Sequence, residues 1–188
     1  MVRYTHFIDS ITINKYIEKD DVVMDIGTGA GFPGIPIKIL NKENKVILVD
    51  SLNKRINFLK EVCNTLELCN VECIHSRAEE LANNKNYREK QDIVVSRAVA
   101  RLNVLLEYML PFVKVGGKCI CMKGFDIEEE LNEAKNAIDI LGGKIEIVDE
   151  IVLPDSDIKR NIIIVKKVKE TNKKYPRKAG MPSKQPIV

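Results

Sequence analysis

The sequence contains no tryptophan, two histidines and only 5% aromatic residues, so a platform of aromatic rings for stacking unpaired bases is not expected. Its cysteines, Cys63, Cys69, Cys73, Cys119 and Cys121, are odd in number and form no C-x-x-C pair. That excludes an ordinary disulfide framework and fits the reduced thiols of a cytoplasmic protein. With so few histidines and no paired cysteines, no metal site is expected. No apolar run approaches the ~20 residues needed to span a bilayer. The stretch Met1 to Ser10 lacks the apolar core of an export signal. A cytoplasmic location without membrane attachment is the expectation.

What is present is a chain of 188 residues, 45% hydrophobic and 30% charged, a size that fits one domain with a sizeable core. The net charge of +3 is unevenly spread. Residues 166–188 hold eight basic side chains against the single acid Glu170, leaving 22 basic and 26 acidic residues in the body. Residues 1–168 are expected to form the domain, and 169–188 a basic C-terminal tail. Such a tail is either a phosphate-contacting arm or a solvated end. On the first reading, deleting 173–188 should weaken nucleic-acid binding and leave small-ligand binding intact.

Strand-like and helix-like segments alternate. Val22–Ile26, Val46–Val49, Val71–Ile74, Ile93–Val95 and Lys118–Met122 are strand candidates. Cys119 and Cys121 alternate through the last of these and are expected in its core. Between the strands, 35–40 forms a short helix, and 52–68 an amphipathic one capped by Ser51 and burying Leu52, Ile56, Leu59, Cys63 and Leu66. A further helix buries Leu102, Leu105, Leu106, Met109 and Leu110, and one from about 126 to 141 stops at Gly142-Gly143. Ile145–Leu153 and Asn161–Lys167 follow with no room for a helix between them, and so should pair antiparallel at a sheet edge. The expected fold is therefore α/β, a doubly wound Rossmann-like sheet of seven strands, mostly parallel, with an antiparallel edge pair.

The strongest motif is Asp25-Ile-Gly27-Thr-Gly29-Ala-Gly31-Phe32-Pro-Gly34. Glycines after a first strand permit a tight turn and let a ligand approach the main chain without Cβ interference. Asp50, ending the second strand, faces the same crevice, where its carboxylate could accept both hydroxyl hydrogens of a ribose. Together they describe a nucleoside site. Gly29 to Gly34 also satisfies G-x-G-x-x-G, a nicotinamide dinucleotide pattern. That match is displaced into the turn, however, and no substrate domain remains in a chain of this length.

Asp25 standing before the glycines, in D-x-G-x-G-x-G, resembles motif I of the class I methyltransferases, whose sheet also ends in an antiparallel pair. The chain is similar to the ribosomal RNA small subunit methyltransferase G family, also called glucose-inhibited division protein B. The similarity lies in His6-Phe-Ile-Asp9-Ser10, Asp25 to Pro36, Val49-Asp-Ser-Leu-Asn-Lys-Arg55, Ser76-Arg-Ala-Glu-Glu-Leu81, Ser96-Arg97-Ala98, Met122-Lys-Gly124 and Tyr175-Pro-Arg-Lys-Ala-Gly180. The resemblance implies methyl transfer from S-adenosylmethionine to N7 of a guanine in 16S ribosomal RNA, free or in the 30S subunit. It also implies that Gly27 and Phe32 line the cofactor's methionine and ribose side, with Ala78 and Glu79 flanking the adenosine; Gly29 of the same turn is a further cofactor-binding candidate. Arg97, just beyond strand four, would close the site. Glu79 could instead be an ordinary first-turn helix acid, and Arg97 a surface ion pair. The family's helical segment ahead of His6 is expected to be missing, and a monomer is expected.

Guanine N7 carries an in-plane lone pair and no hydrogen, so no catalytic base is expected among the side chains. Ser96-Arg-Ala-Val99 contains neither the Pro-Pro-aromatic run typical of exocyclic-amine methyltransferases nor a Pro-Cys nucleophile. Arg101, Lys123, Arg177 and Lys178 are the candidate phosphate contacts. A non-catalytic RNA-binding protein with the same fold and a nicotinamide oxidoreductase are the competing readings. The intact glycine turn paired with Asp50 disfavours the first.

Overall fold

The computed structural model of the chain describes residues 2–97 and 100–188, so Ala98 and Val99 of the Ser96–Val99 stretch lie outside it. Strands β1 (Val23–Ile26), β2 (Val46–Asp50), β3 (Val71–His75), β4 (Gln91–Arg97), β5 (Val113–Lys123), β6 (Gly143–Val152) and β7 (Lys159–Lys167) form one sheet in the order β3-β2-β1-β4-β5-β7-β6. The first five are parallel. β7 runs antiparallel between β5 and β6. The expected seven-stranded sheet with its antiparallel edge pair is present.

Helices cover both faces, which is why β1 and β2 are buried at every position rather than alternating. On one face α5 (Leu102–Met109) and α6 (Glu128–Ile140) pack on Met24, Ile26, Ile47, Val49, Cys119 and Cys121. On the other, α2 (Gly34–Leu40) and α3 (Asn53–Thr65) pack on Val23, Leu48, Ile93 and Ile120. All five expected core residues around α5 are fully buried. β6, at the edge, alternates between half-buried and exposed, as a strand with one wet face does.

Three local expectations differ. Helix α3 begins after Leu52, and Ser51 gives it no cap; Asp50 accepts the Leu52 N–H at 2.9 Å instead, a charged acceptor taking the role expected of a hydroxyl. Its buried side is only Ile56, Leu59 and Cys63, because Leu52 and Leu66 are its two capping residues and are half exposed. β5 starts five residues earlier than expected, with Gly116-Gly117 inside it at an irregular register rather than opening it. The sequence pattern also marked no helix for α1 (Val2–Ile11), α4 (Ala78–Leu81) or α7 (Met181–Lys184).

The largest departure is at the C-terminus. Residues 171–188 fold back over α5 and α6 as a strap. Thr171, Tyr175 and Pro182 are buried, Asn103 on α5 donates to the Ile187 carbonyl at 3.1 Å, and Asn136 on α6 donates to the Val188 carbonyl at 2.7 Å. Charge count could not reveal this, because the lysines of the segment face outward while its buried contacts use backbone and few side chains. Among the described residues no helix is long and apolar enough to cross a membrane.

Candidate functional site

The carboxyl ends of β2, β1, β4 and β5 open onto a row of three cavities. The central one, about 560 Å³, is walled by the glycine turn, Phe32, Asp50, Arg55 and Arg97. A second, about 180 Å³, lies toward β3 between Ile26, Gly27, Asp50, Ala78, Glu79 and Tyr108. The third, about 440 Å³, lies toward β5, with Asp9, Arg97, Met122 and Arg160 among its walls. Gly27 and Asp50 are shared by the first two; His6 and Arg97 are shared by the first and third. Ligands of open parallel sheets bind in this position because the chain reverses direction on either side of β1 and leaves a crevice there.

The turn is built by Asp25. Its Oδ2 accepts the Thr28 hydroxyl at 2.6 Å and the Gly34 N–H at 2.9 Å, tying the two ends of the glycine segment to the strand. Gly34 must be glycine, since a Cβ there would meet Leu48 and the Asp25 carboxylate. Gly27 has φ +70°, a region that side chains with a Cβ rarely adopt, and its N–H donates to the Val49 carbonyl at 2.9 Å.

Asp25 is fully buried, and its Oδ1 has no hydrogen-bond partner among the described residues. Burial pushes its carboxyl up from 3.8 to about 6, against the opposing pull of Thr28 and Gly34. The native state thus holds this proton more tightly than the unfolded chain. The resulting stability is complete below the unfolded value and is lost as pH rises through about 6. Asp25→Asn, which can keep both donors on its carbonyl oxygen, should lack this dependence. From pH 4 to pH 7.5 it should gain about 2–3 kcal/mol relative to the native sequence. Urea unfolding at the two pH values measures the change, and a constant difference would show that Asp25 does not titrate in this window.

Asp50 is almost fully buried, and both its oxygens are engaged. Oδ2 accepts the Gly29 N–H at 3.0 Å and Arg55 at 3.1 Å; Oδ1 accepts the Leu52 N–H. The two-hydroxyl grip expected of this residue therefore requires Arg55, whose side chain is half exposed, to swing away. Arg97 is the last residue of β4 rather than a loop residue. Its guanidinium donates to the His6 carbonyl and Ser10 hydroxyl at 3.2 and 3.3 Å, lies 3.4 Å from Asp9 and sits over the Phe32 ring at 5.2 Å. Phe7 meets the same ring edge-on at 5.0 Å. Arg97 is thus an ion-pair partner and a cavity wall at once, and it fixes α1 over the site. Sequence reasoning gave His6 to Ser10 no such role; the H-x-x-D-S spacing, one face of a helical turn, was the available signal.

Ala78 and Glu79 are walls of the smaller cavity, joined by Tyr108, which sequence reasoning did not place there. The expected phosphate contacts fare differently. Lys123 is buried, paired with Glu130 at 2.6 Å and bonded to the Ala100 carbonyl. Arg177 is spent on the buried Glu107, at 2.6 Å. These two are corrected to internal ion pairs, since α5 and α6 carry the carboxylates that face them. Arg101 is half exposed but pairs with Glu129 and Glu133. Lys178 remains exposed.

A seven-stranded sheet in this order, with a glycine turn after β1 and an acid ending β2, is the fold of the class I methyltransferases. A SAM dependent methyltransferase from Aquifex aeolicus superposes with a TM-score of 0.65 at 19% identity, covering 87% of this chain and 92% of that one. An rRNA methylase from Streptococcus thermophilus gives a TM-score of 0.58 at 15% identity over 89% and 95%. At such identities the likeness is one of fold. Sequence supplies the family. The model of rRNA small subunit methyltransferase G (GidB) matches residues 2–163. The protein of that name from Clostridium kluyveri is 54% identical over 97% of this chain and 77% of its own length. That from Acetivibrio thermocellus is 57% identical over 97% and 75%. The chain belongs to the rRNA small subunit methyltransferase G family.

Proposed function

We propose that this chain methylates N7 of a guanine in 16S ribosomal RNA of the small subunit, in the cytoplasm, with S-adenosylmethionine as donor. The observation that carries the reading is that the three cavities lie side by side and share walls. A nucleoside-sized pair of cavities around Gly27 and Asp50 adjoins a third across His6 and Arg97, so a donor and an acceptor base can meet. The residues suit that donor. The Cβ-free turn leaves its backbone open, Glu79 and Ala78 flank one end, and Phe32 with Arg97 flank the other. When bound, S-adenosylmethionine supplies an electrophilic methyl group on a sulfonium.

The chain's own work is positioning. Arg97 and α1 form the partition between the two halves of the cleft, and Met122, Gly124 and Arg160 bound the acceptor side. On this reading the 440 Å³ cavity receives the acceptor base, with its N7 edge toward the donor. Since N7 has no proton to lose, no side chain need act as base. Lys178 and the exposed lysines of the strap supply the sequence-independent attraction for phosphate. The 30S particle, rather than naked RNA, is the more favourable substrate for a chain with so few aromatic side chains to capture an unpaired base.

Transfer of tritiated methyl to RNA, followed by mapping, tests the reading. The RNA strand should be cut at the product base by borohydride and aniline treatment. Single-turnover rates should stay flat between about pH 6.5 and 8.5, where a histidine base would titrate. A steep basic limb, or label on an exocyclic amine or ribose hydroxyl, would exclude N7.

A further inference from the structure

The C-terminal strap reaches the cofactor cleft from behind. The Gly180 N–H donates to Glu79 Oε1 at 2.9 Å, and the Tyr108 hydroxyl shares a 2.8 Å hydrogen bond with Ser183 Oγ. Glu79 and Tyr108 are both walls of the smaller cavity. We propose that residues 175–188 are a positioning element of the adenosine subsite, acting through Glu79 and Tyr108. This rests on the cofactor reading given above and extends it to a segment with no residue among the cavity walls.

The strap is fixed on both sides of these contacts. Ahead of them, the buried Glu107 carboxylate accepts the Arg177 backbone N–H at 2.8 Å, its Nε at 2.9 Å and its Nη2 at 2.6 Å. Arg88 adds bonds to the carbonyls of Tyr175 and Thr171. Beyond them, Asn103 and Asn136 hold the carbonyls of Ile187 and Val188. The register of Gly180 and Ser183 is thereby set from two ends. Gly180 has φ +81°, and that left-handed turn gives the segment its direction where its N–H meets Glu79.

The consequence for Glu79 is chemical. Among the described residues only Oε1 has a partner; Oε2 has none. A flexible glutamate anchored by one oxygen presents the other in a fixed place, as an acceptor for the amine or hydroxyl hydrogens of an adenosine. Without the strap the same side chain would spread over several rotamers, and binding would have to order it. Linkage makes the effect reciprocal, so adenosine bound against Glu79 should hold the strap down.

Hydrogen exchange on the native chain tests this with S-adenosylhomocysteine as the probe. The ligand should slow exchange in 176–188 by about ten-fold more than in the distant β6–β7 hairpin. Equal slowing of both segments would mean that the strap reports only general stabilisation, and would overturn the inference. In a second arm, Arg177→Met is combined with Glu107→Leu, removing both charges while keeping bulk. With cooperative unfolding retained, its dissociation constant for S-adenosylhomocysteine should rise about ten-fold. Unchanged affinity in that folded variant would also overturn it. Absence of binding by the native chain would instead remove the cofactor reading and this inference together.

Discussion

Gly27→Val is expected to lower affinity for S-adenosylmethionine about a hundred-fold, equivalent to about 2.7 kcal/mol. Gly27 borders both cavities proposed for the cofactor and holds φ +70°. A β-branched residue forced into that region stores about 1–3 kcal/mol of strain. It can relieve the strain only by rotating the peptide that donates to Val49, which reshapes the wall against which the cofactor lies. Gly34→Ala is the informative contrast. Its added methyl meets Leu48 and Asp25 inside the domain, not the cleft, so the cost should appear as a fall in stability of about 1–3 kcal/mol. Calorimetric titration and urea unfolding on both variants separate the effects. If Gly27→Val stays folded and binds as tightly as the native chain, the assignment of the turn to the cofactor is wrong.

Arg177→Ala should destabilise the domain by about 3–5 kcal/mol, because it strands a buried carboxylate. Glu107 is fully buried on α5 and takes four hydrogen bonds from Arg177, three of them from the guanidinium that the substitution removes. A domain of ordinary stability holds only about 5–15 kcal/mol in total, so this one ion pair is a large share. The sign separates the structural picture from the view of a solvated basic arm, in which the substitution would cost nothing. Urea midpoints with unchanged slope measure it; a loss below about 0.5 kcal/mol would return the segment to the surface. The same geometry bears on removal of 173–188, expected from charge alone to leave small-ligand binding intact. That deletion strands Glu107 too and is expected to impair the domain as a whole. A cleaner measure of RNA binding by the strap is neutralisation of the exposed Lys173, Lys174, Lys178 and Lys184. For every phosphate that a lysine no longer neutralises, the salt slope should fall by ~0.7 on single strands.

The sheet was legible in the sequence because parallel strands buried on both faces are written as largely apolar runs; Val46–Val49 is such a run, and Val22–Ile26 is one interrupted only by Asp25. The glycine turn and the acid ending β2 were legible too. Their chemistry is local, with left-handed backbone at Gly27 and close approach at Gly34 fixing residue type regardless of context. The edge pair followed from the lack of room for a helix between two strand candidates. What the sequence could not determine was the partner of each charge. Lys123, Arg177 and Lys178 read alike in one dimension, yet the first is paired with Glu130 in the first turn of α6, the second with Glu107 seventy residues away, and only the third is exposed. An ion pair is a property of distance in space, and tertiary packing alone set those distances. The same holds for α1 clamped by Arg97 over the cleft, and for the strap behind Glu79. Both are held by contacts between segments far apart in the chain, on which no local periodicity bears.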